Sequence, residues 1–121
     1  MSEKDIAELI DRPEISALGI NIFKFGFSPE NLAVHWKKHI SEYKEYKSAE
    51  QYAHEALRLI QLPTNFMVLG YKNSKGQVIR YDIETKNFVK GHPNVGIATM
   101  HKLDNGIEDY YDKERKEAVF E

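Results

Sequence analysis

The spacing of apolar positions changes once along this chain, near Pro63. Ahead of that point the period is helical. Ser28-Pro29-Glu30 has the form of a helix start. The Ser28 hydroxyl can accept from unpaired backbone N–H groups, and Pro29 suits the first helical position, where no N–H is needed. Leu32, Trp36, Ile40 and Tyr43 then share one stripe, which predicts a helix running to about Tyr43. Ser48 begins a second helix, with Gln51 completing a capping box. Its stripe is Tyr52, Ala53, Ala56, Leu57 and Ile60, and Pro63 ends it. Residues 2–11 predict a further short helix with Ile6, Leu9 and Ile10 on one side, broken by Pro13. Residues 15–27 are apolar and glycine-punctuated, and their pattern assigns no element.

After Pro63 the period becomes two. Residues 66–72 and 77–83 predict two strands joined by the turn Asn73-Ser74-Lys75-Gly76, a hairpin. A turn within residues 82–87 leads to a third strand from Phe88 to Lys90, and residues 95–101 form a fourth. Along that fourth strand, alternation places Val95, Ile97, Thr99 and His101 on one face and Ala98 and Met100 on the other. Helices first and a meander afterwards predict an α+β fold, with N-terminal helices packed on one face of a four- to five-stranded antiparallel sheet. The expected organisation is a single domain over residues 1–121. It has an N-terminal helical extension (1–30), two helices (31–62) and the sheet (66–111).

Composition narrows the chemistry. Of the 121 residues 41% are apolar and 30% charged, enough for a modest core under a well-solvated surface. There is no cysteine, which removes disulfides, thiolate metal sites and cysteine nucleophiles together. No apolar run approaches the roughly 20 residues of a membrane span, so no membrane contact is expected of this fragment. The N-terminus lacks a charged-then-apolar leader pattern. The net charge of -2 hides a gradient: residues 35–102 carry 11 basic against 6 acidic groups, while both ends are acidic. Because screening confines surface fields to about 8–10 Å, a basic centre can still hold a polyanion.

The first helix carries the densest candidate chemistry. At the helical angular step, His35, Lys38, His39 and Glu42 form one polar strip beside the apolar stripe, with His39 nearest its edge. Such a strip belongs at the lip of a cleft, where a half-desolvated histidine titrates near neutrality and suits general acid–base work. Two histidines at i and i+4 can also share a metal ion. The zinc-protease form of that motif needs Glu directly after the first histidine, and Trp36 stands there, so no metal is expected. On the last strand Thr99 can donate to a phosphoryl oxygen, and His101 can carry a second proton or offer a stacking surface. Arg80 is a candidate phosphate clamp or a partner of Asp82. Lys90 is a candidate phosphate contact, and Tyr110 and Tyr111 are candidates to stack bases or to pack onto the core.

These residues, taken in order, resemble a known group. The series is His35-Trp-Lys-Lys38-His39, Tyr46-Lys-Ser48-Ala-Glu50-Gln-Tyr52 with Ala56, Val78-Ile-Arg80-Tyr81-Asp82, Phe88, and Gly96-Ile-Ala-Thr99-Met-His101. It resembles the barnase–EndoU–colicin–RelE (BECR) ribonuclease domains that end bacterial polymorphic and contact-dependent inhibition toxins, over roughly residues 32–111. The resemblance implies helices packed on an antiparallel sheet and RNA cleavage without metal or cofactor, usually of a transfer RNA. It implies neutralisation by a cognate immunity protein, and delivery on a larger bacterial protein that acts in the target-cell cytoplasm. In its colicin D branch a Lys-His pair on a helix and a Ser/Thr-x-aromatic unit on a strand form the site. Lys38, His39 and Thr99 match these, and His101 stands where the aromatic belongs. Two other classes remain open. One is a non-enzymatic binding module, an immunity or adaptor protein whose acidic tail masks a basic partner; the other is a zinc enzyme using His35 and His39.

Overall fold

The computed structural model describes residues 23–73 and 75–118. The expected helix at residues 2–11 lies outside the described residues. Helix α1 spans Pro29–His39 and continues as a 3-10 turn over Ile40–Glu42. Helix α2 spans Ala49–Gln61. Strands β1 (Val68–Lys72), β2 (Val78–Asp82), β3 (Asn87–His92) and β4 (Gly96–Lys102) follow, and helix α3 spans Ile107–Ala118. The strands pair in sequence order as one antiparallel sheet, so the fold is α+β as the patterning predicts.

Both helix starts follow from the capping chemistry. The Ser28 hydroxyl accepts from Asn31 N at 3.2 Å, with Pro29 at the first helical position. The Ser48 hydroxyl accepts from Gln51 N at 3.3 Å, and Gln51 Oε1 accepts from Lys47 N at 2.7 Å. The tightening to 3-10 geometry at Ile40 leaves that side chain 49% exposed, although it continues the apolar stripe of α1. Tyr43, just beyond, turns fully inward.

Adjacent strand residues point to opposite faces, and here both faces are covered. Val68, Val78, Val89 and Met100 join Tyr43, Tyr52, Ala56, Leu59 and Ile60 in one core against α2. Leu69, Ile79, Tyr81 and Phe88 join Leu103, Tyr110 and Tyr111 in a second core. The sheet therefore ends at Lys102 and not at Tyr111, and the segment expected to extend it is a helix. Its cause is visible in the residues. Ile107, Tyr110 and Tyr111 recur at helical spacing, and Glu108 and Asp109 sit in the first turn, where the helix dipole favours negative charge. Asn105 N donates to the Asp109 carboxylate at 2.8 Å and fixes the start.

Two details of the sheet decide where functional groups point. Across β3 and β4, Thr99 pairs with Lys90 and Ile97 with Gly91, so Ala98 is an extra residue, a β-bulge. Ile97 and Met100 consequently enter the same core, while Thr99 and His101 pair with Lys90 and Phe88. Simple alternation, which groups Ile97 with Thr99 and His101, fails at this bulge. The second detail is Arg80. It is fully buried, and its Nε donates to Leu62 O at 2.8 Å while Nη1 donates to Ile79 O at 2.9 Å. Burial lowers its pKa to about 10, still well above neutrality. Its guanidinium lies over Gly70, where a Cβ would stand 2.6 Å from Nη1 and closer still to the Ile79 carbonyl oxygen. Gly70→Ala is expected to cost about 1–3 kcal/mol through overpacking. A urea titration should show the midpoint falling with the slope unchanged.

Candidate active site

The last strand, β4, is an end strand of the sheet among the described residues, and an uncovered strand edge is a template for unwanted pairing. Helix α1 lies along it. At one end Asn31 Nδ2 donates to Ile97 O at 3.1 Å and to Ala98 O at 3.0 Å. At the other end Lys102 N donates to Glu42 Oε1 at 3.0 Å. The polar strip of the helix thus occupies the hydrogen-bonding groups of the strand edge, and helix and strand run side by side in a fixed register.

Between those two anchors the register brings the candidate residues together. His35 Nδ1 stands 3.2 Å from Thr99 Oγ1. His39 Nδ1 donates to Glu42 Oε2, the carboxylate whose other oxygen holds the strand. The His35 and His39 rings stack with centroids 5.8 Å apart, and His39 stacks on His101 at 5.6 Å. Phe88 backs His101 at 5.4 Å and Phe27 backs His35 at 5.9 Å. Lys90 is the cross-strand partner of Thr99. His39 keeps 12% of its side chain exposed, so the row is partly desolvated and still open to solvent.

The hydrogen bonds fix which nitrogens are available. An ionised carboxylate accepts only, so His39 has an N–H at Nδ1, and Nε2 is the ring nitrogen that Glu42 does not engage. His101 Nδ1 donates to Lys102 O at 3.2 Å. The His35 pKa is lowered from 6.5 by burial first, then by His39 and Lys38. Between 6.5 and that lower value the unfolded chain binds a proton that the folded chain does not. Stability therefore rises with pH through this window and is lost as pH falls through the folded pKa. We expect the His35 ring resonances in NMR to titrate with a midpoint below 6.5, and His35→Gln to flatten acid destabilisation in that window.

The other expected site residues fall in different places. Lys38 is exposed, one residue before His39 on α1. Lys90 is half-buried beside Thr99. Arg80 and Tyr111 are not at the site. Arg80 is sealed in the core by its bonds to Leu62 and Ile79, and Tyr111 is 1% exposed against Tyr110 at 5.3 Å. Neither presents a surface to a phosphate or a base. Sequence reading missed two contributors, Asn31 and Phe27. Asn31 is one helical turn ahead of His35, a spacing that does place it on the same strip. Among the described residues no group of three or more His, Cys, Asp or Glu side chains converges to hold a metal ion. The Nδ1 atoms of His35 and His39 are directed to Thr99 and Glu42. No protein-family model and no curated protein matches this chain.

Proposed function

We propose that this chain is a metal-independent endoribonuclease that cleaves RNA by attack of a ribose 2′-hydroxyl on the adjacent phosphorus. The observation that carries the reading is the row His35–His39–His101 held against Thr99 and Glu42. It offers two proton carriers and a hydroxyl donor within one side chain's reach of a phosphate. His35, kept neutral by burial, orients Nδ1–H to Thr99 Oγ1 and accepts the 2′-hydroxyl proton on Nε2. The 2′-oxygen bonds to phosphorus and the bond to the 5′-oxygen breaks. His39 acts in its doubly protonated form, with Nδ1–H held by the Glu42 carboxylate, and gives its Nε2 proton to that leaving oxygen, which leaves the neutral ring. The products are a 2′,3′-cyclic phosphate and a 5′-hydroxyl, and DNA, lacking the 2′-hydroxyl, is not a substrate. Thr99, accepting from His35, donates its own O–H to a phosphoryl oxygen, and Lys90 and Lys38 add positive charge.

Transfer RNA is the proposed substrate, a cognate immunity protein the proposed neutralising partner, and delivery on a larger protein into a bacterial cytoplasm the proposed setting. All three follow from the resemblance to BECR toxin domains. The test is incubation with total bacterial RNA in EDTA. Discrete fragments are expected, and intact RNA refutes the reading. Thr99→Val removes one donor to the developing charge and is expected to lower kcat about 10²–10³-fold. A single-turnover cleavage assay checks it.

A further inference from the structure

A cavity of about 400 Å³ opens along β4 next to the histidine row. That volume falls in the roughly 300–1,000 Å³ range of small-ligand sites. Its floor is Gly91, Gly96 and Ile97, and its rim carries Asn31, Gln77 and His92. The cavity and the histidine row are neighbours along α1 and β4. Asn31, on its wall, is one turn of α1 ahead of His35, about 5–6 Å away. Ala98, also on its wall, precedes Thr99.

The rim has unused hydrogen-bonding capacity of both kinds. Asn31 commits Nδ2 to the strand edge and leaves Oδ1 as an acceptor, unengaged among the described residues. Gln77 Oε1 accepts from Asn73 Nδ2 at 2.7 Å, which leaves the Gln77 amide N–H groups as donors. His92 Nδ1 accepts from Asn94 N at 3.0 Å, so its neutral ring carries the proton on Nε2, a second donor. Two exposed apolar side chains stand by the cavity, Val95 in its lining and Phe25 next to Gly96. Val95 is 77% exposed and Phe25 59% exposed. Phe25 Cβ lies 3.5 Å from the position a Cβ on Gly96 would take. A flat ligand with donors and acceptors on its edge and an apolar face matches these features together, and a nucleobase is such a ligand. Unstacked bases are recognised in this manner, by stacking on exposed side chains and bonding through their edges.

We propose that this cavity is a nucleobase subsite that seats the base beside the phosphate acted on by the histidine row. The choice of ligand rests on the ribonuclease reading. Gln77 and Asn31 read the base edge, and Phe25 and Val95 cover its face.

The test is an NMR titration of the full chain with each of the four nucleoside 3′-monophosphates, with inorganic phosphate as the control probe. Amide shifts at Gln77, Gly91, Gly96 and Ala98 are expected with at least one nucleotide and not with phosphate. Gln77→Ala is expected to weaken that nucleotide roughly 2- to 10-fold, the worth of one hydrogen bond. Phe25→Ala, at an exposed position, is a second variant independent of the rim and is expected to weaken all four. Shifts confined to His35, His39 and His101, or equal shifts with phosphate, overturn the subsite. The two readings fail separately. Nucleotides filling the cavity of a protein that leaves RNA intact uphold the subsite and refute the ribonuclease. RNA cleavage whose KM and base preference are unchanged by both variants refutes the subsite alone.

Discussion

His39→Ala is expected to lower the rate of RNA cleavage about 10²–10⁴-fold, the usual contribution of one positioned proton carrier. The size follows from its placement. His39 is the middle ring of the row, stacked on His35 at 5.8 Å and on His101 at 5.6 Å. Its Nδ1 is committed to Glu42, whose second oxygen is bound to Lys102 N, so the ring is fixed to both the helix and the strand. Removing the imidazole removes Nε2 without touching either core, because His39 belongs to neither. Loss of two ring contacts and the Glu42 bond is expected to cost about 1–3 kcal/mol, which leaves the protein folded against a total of about 5–15 kcal/mol. The variant should bind RNA as tightly and cleave it slowly. Single-turnover kinetics with a binding measurement in parallel separates the two. A variant that cuts at the parental rate rules His39 out as the proton donor.

The second large effect concerns the core that holds α1 in place. Tyr52 is fully buried on α2, and its hydroxyl donates to the Met100 carbonyl on β4. Its ring meets Phe27 at 5.5 Å, Trp36 of α1 at 5.6 Å and Tyr43 at 5.1 Å. One side chain thus ties together α1, α2 and β4. Tyr52→Ala is expected to cost about 3–5 kcal/mol, the range for emptying a large aromatic site. Against a total stability of about 5–15 kcal/mol, that places the variant near unfolding at ordinary temperature. Tyr52→Phe keeps the rings and removes only the donor, at about 1–3 kcal/mol. Urea titrations of the two should separate clearly. Equal losses would mean that the hydroxyl, and not the ring packing, dominates.

The large elements were legible because their cause is local. Ser28, Pro29 and Ser48 set the helix starts with their own side chains. The change of apolar period after Pro63 set the four strands to within two residues of their ends. The histidine strip on α1 was legible for the same reason, since positions 35, 39 and 42 share a helical face whatever lies opposite. What was not legible depends on partners distant in sequence. The bulge at Ala98 exists only against β3, and because of it Ile97 joins Met100 in the core and does not share the face of Thr99 and His101. Arg80 reads as a phosphate clamp or a partner of Asp82 until Gly70 and the Leu62 carbonyl are seen to receive it. Helix α3 hid behind its acidic residues, although Ile107, Tyr110 and Tyr111 keep the helical spacing.

The most direct measurement is the chemistry of the cut ends. A purified RNA is incubated with the protein in EDTA, and the fragment termini are identified. A 2′,3′-cyclic phosphate and a 5′-hydroxyl are expected at each cut, and no cut where the preceding ribose is 2′-deoxy. Fragments with 5′-phosphate ends, or cleavage that continues at the 2′-deoxy position, would contradict attack by the 2′-hydroxyl.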